Sequence, residues 1–291
     1  MFSDCLSLVL VPPLNTASGT DFSGMFYGCE SLSRAPLLNT GSSAEDFSYM
    51  FGNCYSLVYV PPINTVAGTN FSNMFSYCSS LRSIPMLYTQ DGTDFSYMFQ
   101  YCTALVEVPL LNLSAGLYFT NMFSSCNSLI EVPQFDTSLG TSFSAMFASC
   151  FSLVRVPKFN TVAGTNFSTM FSNCYKLDTV PFFNTAAGSN FGSMFAECRS
   201  LVEIPRLLVY SSSVNGLASM FSGCVSLSKG TLGGANMTHS YSGCKLSAAA
   251  LDEIYTNLAT VTSKTITVTN NYGNTSDTPS IATGKGWTVT G

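Results

Sequence analysis

The chain has 291 residues, 46% of them hydrophobic and only 9% charged, where a soluble domain ordinarily carries about a quarter. Eleven basic against sixteen acidic residues give a formal charge of −5, which excludes a phosphate-tracking surface and makes nucleic acid a poor partner. No apolar run of about 18 residues occurs, so no membrane-inserted helix is expected.

At the N-terminus there is no basic segment followed by an apolar core and a cleavage site, so no signal peptide is read. Met1-Phe2 already matches the Met-Phe of a recurring unit, with Cys5 and Leu8 in phase. The chain is therefore expected to begin inside a repeat, its first turn open to another protein or another copy.

Eleven cysteines, from Cys5 to Cys244, are spaced by 24, 25, six times 24, 26 and 20 residues. Each has an equivalent one unit away, and the count is odd. One free, buried thiol per turn acting as a small hydrophobe is the expected state, with a reducing compartment for folding. Neighbouring rungs lie about 4.8 Å apart, within the Cα reach of a disulfide, so pairing stays open as an alternative. Cys-x-x-Cys never occurs and His239 is the single histidine, so no metal or cofactor is expected.

Aligned on cysteine, the unit is Cys-x-Ser-Leu-x-x-Val-Pro-x-Φ-Asn-Thr-x-x-Gly-Thr-x-Phe-Ser-x-Met-Phe-x-x, where Φ is Leu, Ile or Phe. The Met-Phe pair recurs ten times, from Met1-Phe2 to Met220-Phe221, with Ser240-Tyr241 as a degenerate eleventh copy. A 24-residue period means a solenoid, in which no unit has a core until it stacks on its neighbours. Phe167, Met170, Phe171 and Cys174 stand at i, i+3, i+4 and i+7, which predicts one face of a short helix with Thr165 as its N-cap. Leu177 to Val180 predicts a short strand that Pro181 ends. Ten turns at about 4.8 Å would make a rod about 50 Å long.

Beyond residue 230 the pattern breaks. Residues 245–260 place Leu251, Ile254, Tyr255 and Leu258 on one helical face, with Ser247 as N-cap. Residues 264–269 alternate as a strand, residues 270–280 read as a polar turn region, and Trp287 opens a last β-prone run. The expected division is a solenoid over 1–230 and, over 231–291, a degenerate last turn with an α/β capping unit that covers the final rung.

The unit resembles the BspA-like leucine-rich repeats of the Met-Phe-x-x-Cys-x-Ser-Leu variety, from residue 1 to about 230. The resemblance implies an α/β solenoid, a right-handed stack of about ten turns, each a short strand and a short helix. Members are mostly bacterial surface or virus-encoded proteins that present solenoids for adhesion, so it implies a non-catalytic binding scaffold. The tail is similar to the ends of repeat proteins of tailed bacteriophages, which implies a virion surface protein folded in the host cytoplasm, such as a tail-fibre or receptor-binding part. Its partners would then be a cell-surface glycan or protein receptor, other virion proteins, or another copy. A bacterial surface adhesin and a purely structural decoration protein stand as the alternatives.

Candidate binding residues lie where the units vary. Tyr77 and Tyr101 each precede the cysteine on consecutive rungs, Tyr49 and Tyr97 precede the methionine, Tyr55 follows its cysteine, and Tyr59 lies in the strand. A phenol ring offers a flat apolar face and a hydroxyl, suited to sugars or protein; stacking within the ladder would equally explain it. Glu131, Gln134, Arg155, Lys158, Glu203 and Arg206 predict a polar patch on the strand face, which ordinary solubility would equally explain. Glu107 and Glu131, one rung apart, approach the spacing of a glycosidase pair, but solvated carboxylates eased by Arg155 are the simpler expectation. Five Asn-x-Ser/Thr matches, Asn70 and Asn166 among them, arise mostly from the repeat itself.

Overall fold

The computed structural model describes residues 1–209 and 216–291. Inward-facing side chains form one continuous column of buried apolar residues along the stack. Phe167, Met170, Phe171, Cys174 and Leu177 are fully buried, as are their counterparts in the neighbouring units. The aromatic rings stand in register: Phe75, Phe99, Phe123, Phe147 and Phe171 follow one another at 5.4–5.7 Å between centroids with nearly parallel planes. A second file runs from Phe22 to Phe191 at 5.5–5.9 Å. A rung spacing near 4.8 Å obliges the rings to stack with an offset, the arrangement their quadrupoles favour.

The expected short helix is absent from this segment. Each Phe-x-x-Met-Phe-x-x-Cys stretch is a chain of turns, with left-handed backbone at the residue before Met and again at the residue before Cys: Tyr49 (φ 54°) and Asn53 (φ 60°), then Asn73 (58°) and Tyr77 (61°). Every second N–H leaves the turn and bonds to the next rung, Phe47 to Asn70 O, Tyr49 to Ser72 O, Phe51 to Met74 O and Asn53 to Ser76 O, at 2.8–3.0 Å. The alternate N–H groups close local turns, Met50 to Phe47 O and Cys54 to Phe51 O, both at 3.2 Å. The backbone is thus satisfied between rungs as well as within one, which an α-helix cannot do. Thr165 is not an N-cap either: its hydroxyl bonds to Thr141 O, while the Asn166 side chain takes the Ser168 N–H at 3.1 Å.

Strand pairing in the repeats is equally sparse. Single parallel bridges link the residue before each Phe from Asp21 through Asp46, Asn70, Asp94 and onward to Gly216, and others join Arg34 to Tyr59 and Thr179 to Glu203. Among the described residues of the repeats only Leu207–Leu208 (β1) and Leu232–Gly233 (β2) pair as strands, in parallel.

The recurrent polar letters are also packing devices. Buried Thr161 and Thr185 donate to Asn184 O and Leu208 O of the next rung at 2.9 and 2.8 Å. The loop glycine answers a close approach: a Cβ on Gly164 would collide with the Phe167 ring. The cysteine is more than a small hydrophobe, since each Sγ from Cys29 to Cys224 lies 3.0–3.2 Å from the carbonyl of the preceding rung's Met-Phe phenylalanine and donates to it. All eleven cysteines are free, and Cys5 alone is exposed.

Over the tail, from residue 239 onward, the coil changes its material. His239–Ser240 (β3), Lys264–Thr267 (β4) and Trp287–Thr290 (β5) form a parallel sheet in the order β3-β4-β5. Ala248–Asn257 (α1) and the short Ser280–Thr283 (α2) connect the strands. The Ser247 hydroxyl caps α1 through the Ala250 N–H at 3.3 Å, as its sequence predicts; α2 lies where no helix was expected. Tyr241 stacks on Phe221 at 4.7 Å and prolongs the phenylalanine file. Lys285 Nζ donates to the Tyr255, Thr256 and Leu258 carbonyls at the end of α1, replacing a glycine cap. β5 lies at the edge of its sheet, so this unit lengthens the coil with helical turns and does not cover the edge strand itself.

Candidate ligand-binding surface

Since the repeated letters face inward, the side chains that vary between rungs lie at the corner that flanks the cysteines and on the strand face. At the corner, left-handed backbone at the residue before each cysteine turns a side chain out that a helix would have directed along its axis. Tyr77 (φ 61°) and Tyr101 (φ 59°) take this conformation on consecutive rungs. Their rings lie 4.5 Å apart and 15° from parallel, and both stay over a third exposed. Partial burial, with Tyr101 and Tyr55 nearby, raises the Tyr77 hydroxyl above the usual phenol range, so Tyr77 is a neutral donor. One rung earlier Tyr49 meets Tyr27 edge-on at 5.9 Å, and Asn53 Nδ2 donates to the Tyr27 hydroxyl at 3.0 Å. The corner resumes later with Phe151 stacked on Tyr175 at 5.0 Å and Arg199 over Tyr175 at 4.8 Å, held by Glu197 at 2.9 Å.

The predicted residues therefore divide. Tyr77 and Tyr101 share the corner with Tyr55 near them. Tyr49 and the half-buried Tyr97 each head their own turn, before Met50 and Met98. Tyr59 belongs to the strand face, where Arg34 covers its ring at 4.6 Å. Glu131 shares a groove with Glu107 between Val106 and Ile130. Lys158 lines another with Gln134 and Phe182, and Arg206 a third with Glu203, Lys229 and Glu253. The expected easing of Glu131 by Arg155 is not an ion pair: among the described residues the one pair within 4.0 Å is Arg199–Glu197.

A row of exposed apolar residues escaped the sequence reading. Leu37, Pro62, Met86 and Leu110 directly follow the proline on successive rungs, and Tyr88 joins Met86 beside a groove with Val66. Their signal was available, because this position drifts to Gln134, Lys158 and Arg206 in later rungs while the next one stays apolar and buried.

Chemistry is sparse. His239 is buried, its Nδ1 2.7 Å from Met237 O and its ring edge-on to Tyr241 and Trp287. Burial drives its pKa down to about 4, only partly offset by the Met237 carbonyl. It is a core group. Burial likewise pushes the Cys54 and Cys150 thiols up to about 12, so they are poor nucleophiles. No metal-binding group of His, Cys, Asp or Glu occurs among the described residues, and no described helix is long and apolar enough to cross a membrane. Asn70 and Asn166 spend their side chains on turn hydrogen bonds and are half-buried.

Among solved structures, a leucine-rich repeat protein from Bacteroides ovatus is similar at a TM-score of 0.50 and 18% identity, over 91% of this chain and 74% of that one. That likeness identifies the fold as a leucine-rich-repeat solenoid. A leucine rich cell surface protein from Faecalibacterium prausnitzii aligns over 80% of this chain and 81% of that one at 21% identity, with a TM-score of 0.36. The T. pallidum leucine rich repeat protein aligns at 22% identity over 76% and 72%, with a TM-score of 0.29. No curated protein matches. A family profile described as "Mycoplasma protein of unknown function, DUF285" matches residues 1–111 and 117–232.

Proposed function

The chain belongs to the DUF285 family, and from that premise we propose that it is a non-catalytic binding scaffold of a bacterial surface, an adhesin-like solenoid engaging a glycan or protein through its tyrosine corner. The observation that carries this reading is the Tyr77–Tyr101 pair, two exposed rings stacked at 4.5 Å on a rigid backbone. Such rings present apolar edges and fixed hydroxyls at little entropic cost, the chemistry that interface hot spots favour. About ten turns over residues 1–230, ended by the α/β unit of 231–291, would set several such contacts in line and reward multivalent attachment. A bacterial origin fits the matched Mycoplasma family and the Bacteroides structure better than a virion does, since the virion reading rests on the C-terminal sequence alone.

Binding of the purified chain to a glycan array and to immobilised host surface proteins tests this. Tyr77→Ala and Tyr101→Ala should each weaken the response by about tenfold or more with melting temperature nearly unchanged. Full binding in both variants removes this surface from consideration, and binding to no probe at all favours the structural-decoration reading.

A further inference from the structure

Charge is scarce in this protein, yet four charged side chains of both signs converge on one concavity where the repeats meet α1. Glu203, Arg206, Lys229 and Glu253 line a cavity of about 310 Å³ whose remaining walls are Val180, Ile204, Pro205 and Thr231. Glu203 and Lys229 stand side by side through a parallel bridge on neighbouring rungs, and Glu253 comes from α1. Two of the four are positioned by the protein itself. Glu253 Oε1 accepts from the Thr231 hydroxyl at 3.1 Å. The Arg206 guanidinium lies across Gly233, where a Cβ would come within 2.7 Å of Nε. None of the four closes an ion pair with another within 4.0 Å among the described residues.

We propose that this cavity is a binding site for a small zwitterion, an aliphatic α-amino acid. Cations and carboxylates that line one cavity without pairing satisfy a ligand that carries both an ammonium and a carboxylate, and a ligand with one charge leaves half of them unmet. Arg206, with its planar fork, takes the carboxylate, and Lys229 adds a second positive charge to the same cavity. Glu203 and Glu253 take the ammonium. Val180 and Ile204, both almost fully buried, and Pro205 give an apolar floor for the side chain. The volume suits a molecule of this size, at the lower end of the range for small-ligand clefts. This site is separate from the tyrosine corner and stands or falls without it.

Titration of the full chain with L-leucine, followed by amide ¹H–¹⁵N shifts and calorimetry, tests the assignment. Saturable shifts are expected at Ile204, Leu207, Lys229 and Thr231. The one-ended analogues 4-methylpentanoate and isopentylamine should bind about tenfold or more weakly, as should Arg206→Gln and Glu253→Gln variants for leucine. Gly233→Ala, which alters no charge, should weaken leucine by displacing the guanidinium. No saturable shift, an equal response to either analogue, or unchanged affinity in both charge variants would overturn the proposal. Should a variant fail to fold, the comparison of leucine with its two analogues on the unaltered chain decides alone.

Discussion

A single residue in this fold answers to two demands, its own turn and the rung beside it. The residue before each cysteine must be left-handed, a conformation that costs an L-residue about 1–2 kcal/mol, and glycine occupies it at Gly28, Gly223 and Gly243. Ser149 (φ 60°) and Thr169 (φ 53°, before Met170) take the same conformation without glycine's freedom. Ser149→Gly is expected to stabilise the chain by about 0.5–1 kcal/mol, the relief of strain exceeding the extra entropy lost on folding, read as a higher urea midpoint. A lower midpoint would show that the serine side chain matters more than its backbone. The cysteine behind it is equally bound by context. Buried, with Sγ–H engaged and the Cys150 pKa near 12, it should resist an aromatic disulfide reagent. Native protein should therefore show one fast thiol, Cys5, and all eleven only in guanidinium; rapid labelling of several thiols in the folded state would contradict the buried ladder.

At the scale of elements, the files of rings carry the cohesion. Phe123 touches Phe99, Phe135 and Phe147, so Phe123→Ala should cost about 3–5 kcal/mol through the cavity it leaves between two rungs, measured by chemical denaturation. The C-terminal sheet carries a pH dependence. His239 is neutral in the fold with its pKa lowered from 6.5 to about 4, first by burial. The unfolded chain therefore binds a proton that the folded chain refuses. Its contribution is fully present above pH 6.5 and is lost as pH falls from there toward 4, with a slope of about 1.4 kcal/mol per pH unit. His239→Phe, which keeps a ring against Tyr241 and Trp287, should flatten that part of the stability profile; an unchanged slope would place the titration elsewhere. The helical face of Leu251, Ile254 and Tyr255 with its Ser247 cap was legible in sequence, because residues 248–257 form an ordinary amphipathic helix. The repeats misled the same periodicity. Buried positions at i, i+3, i+4 and i+7 arise from successive tight turns as readily as from a helix, and the glycines and asparagines between them were the sign of left-handed backbone.

For the whole molecule, each turn meets only its neighbours, so the array should tolerate removal of a whole period and no other length. Deletion of residues 127–150 joins Cys126 to Phe151 in phase and withdraws one ring from each file. The shortened chain should fold with an unchanged circular dichroism shape and a modestly lower melting temperature. Deletion of twelve residues should abolish folding, because it would set polar loop residues against the buried files. Equal tolerance of both deletions would refute nearest-neighbour stacking.

By itself the sequence determined the period, the inward set of Phe, Met, Cys, Leu and Val, and the outward variation that leaves room for a ligand, since a repeat of fixed length can bury only what recurs in phase. It did not determine the backbone path between those letters. The turn hydrogen bonds of Phe47, Tyr49, Phe51 and Asn53 end on residues of the following rung, and a partner 23 residues away leaves no local trace in composition or periodicity. For the same reason only the tertiary structure brought Tyr77 onto Tyr101, and Arg206 across Gly233 into one cavity with Glu253 from α1.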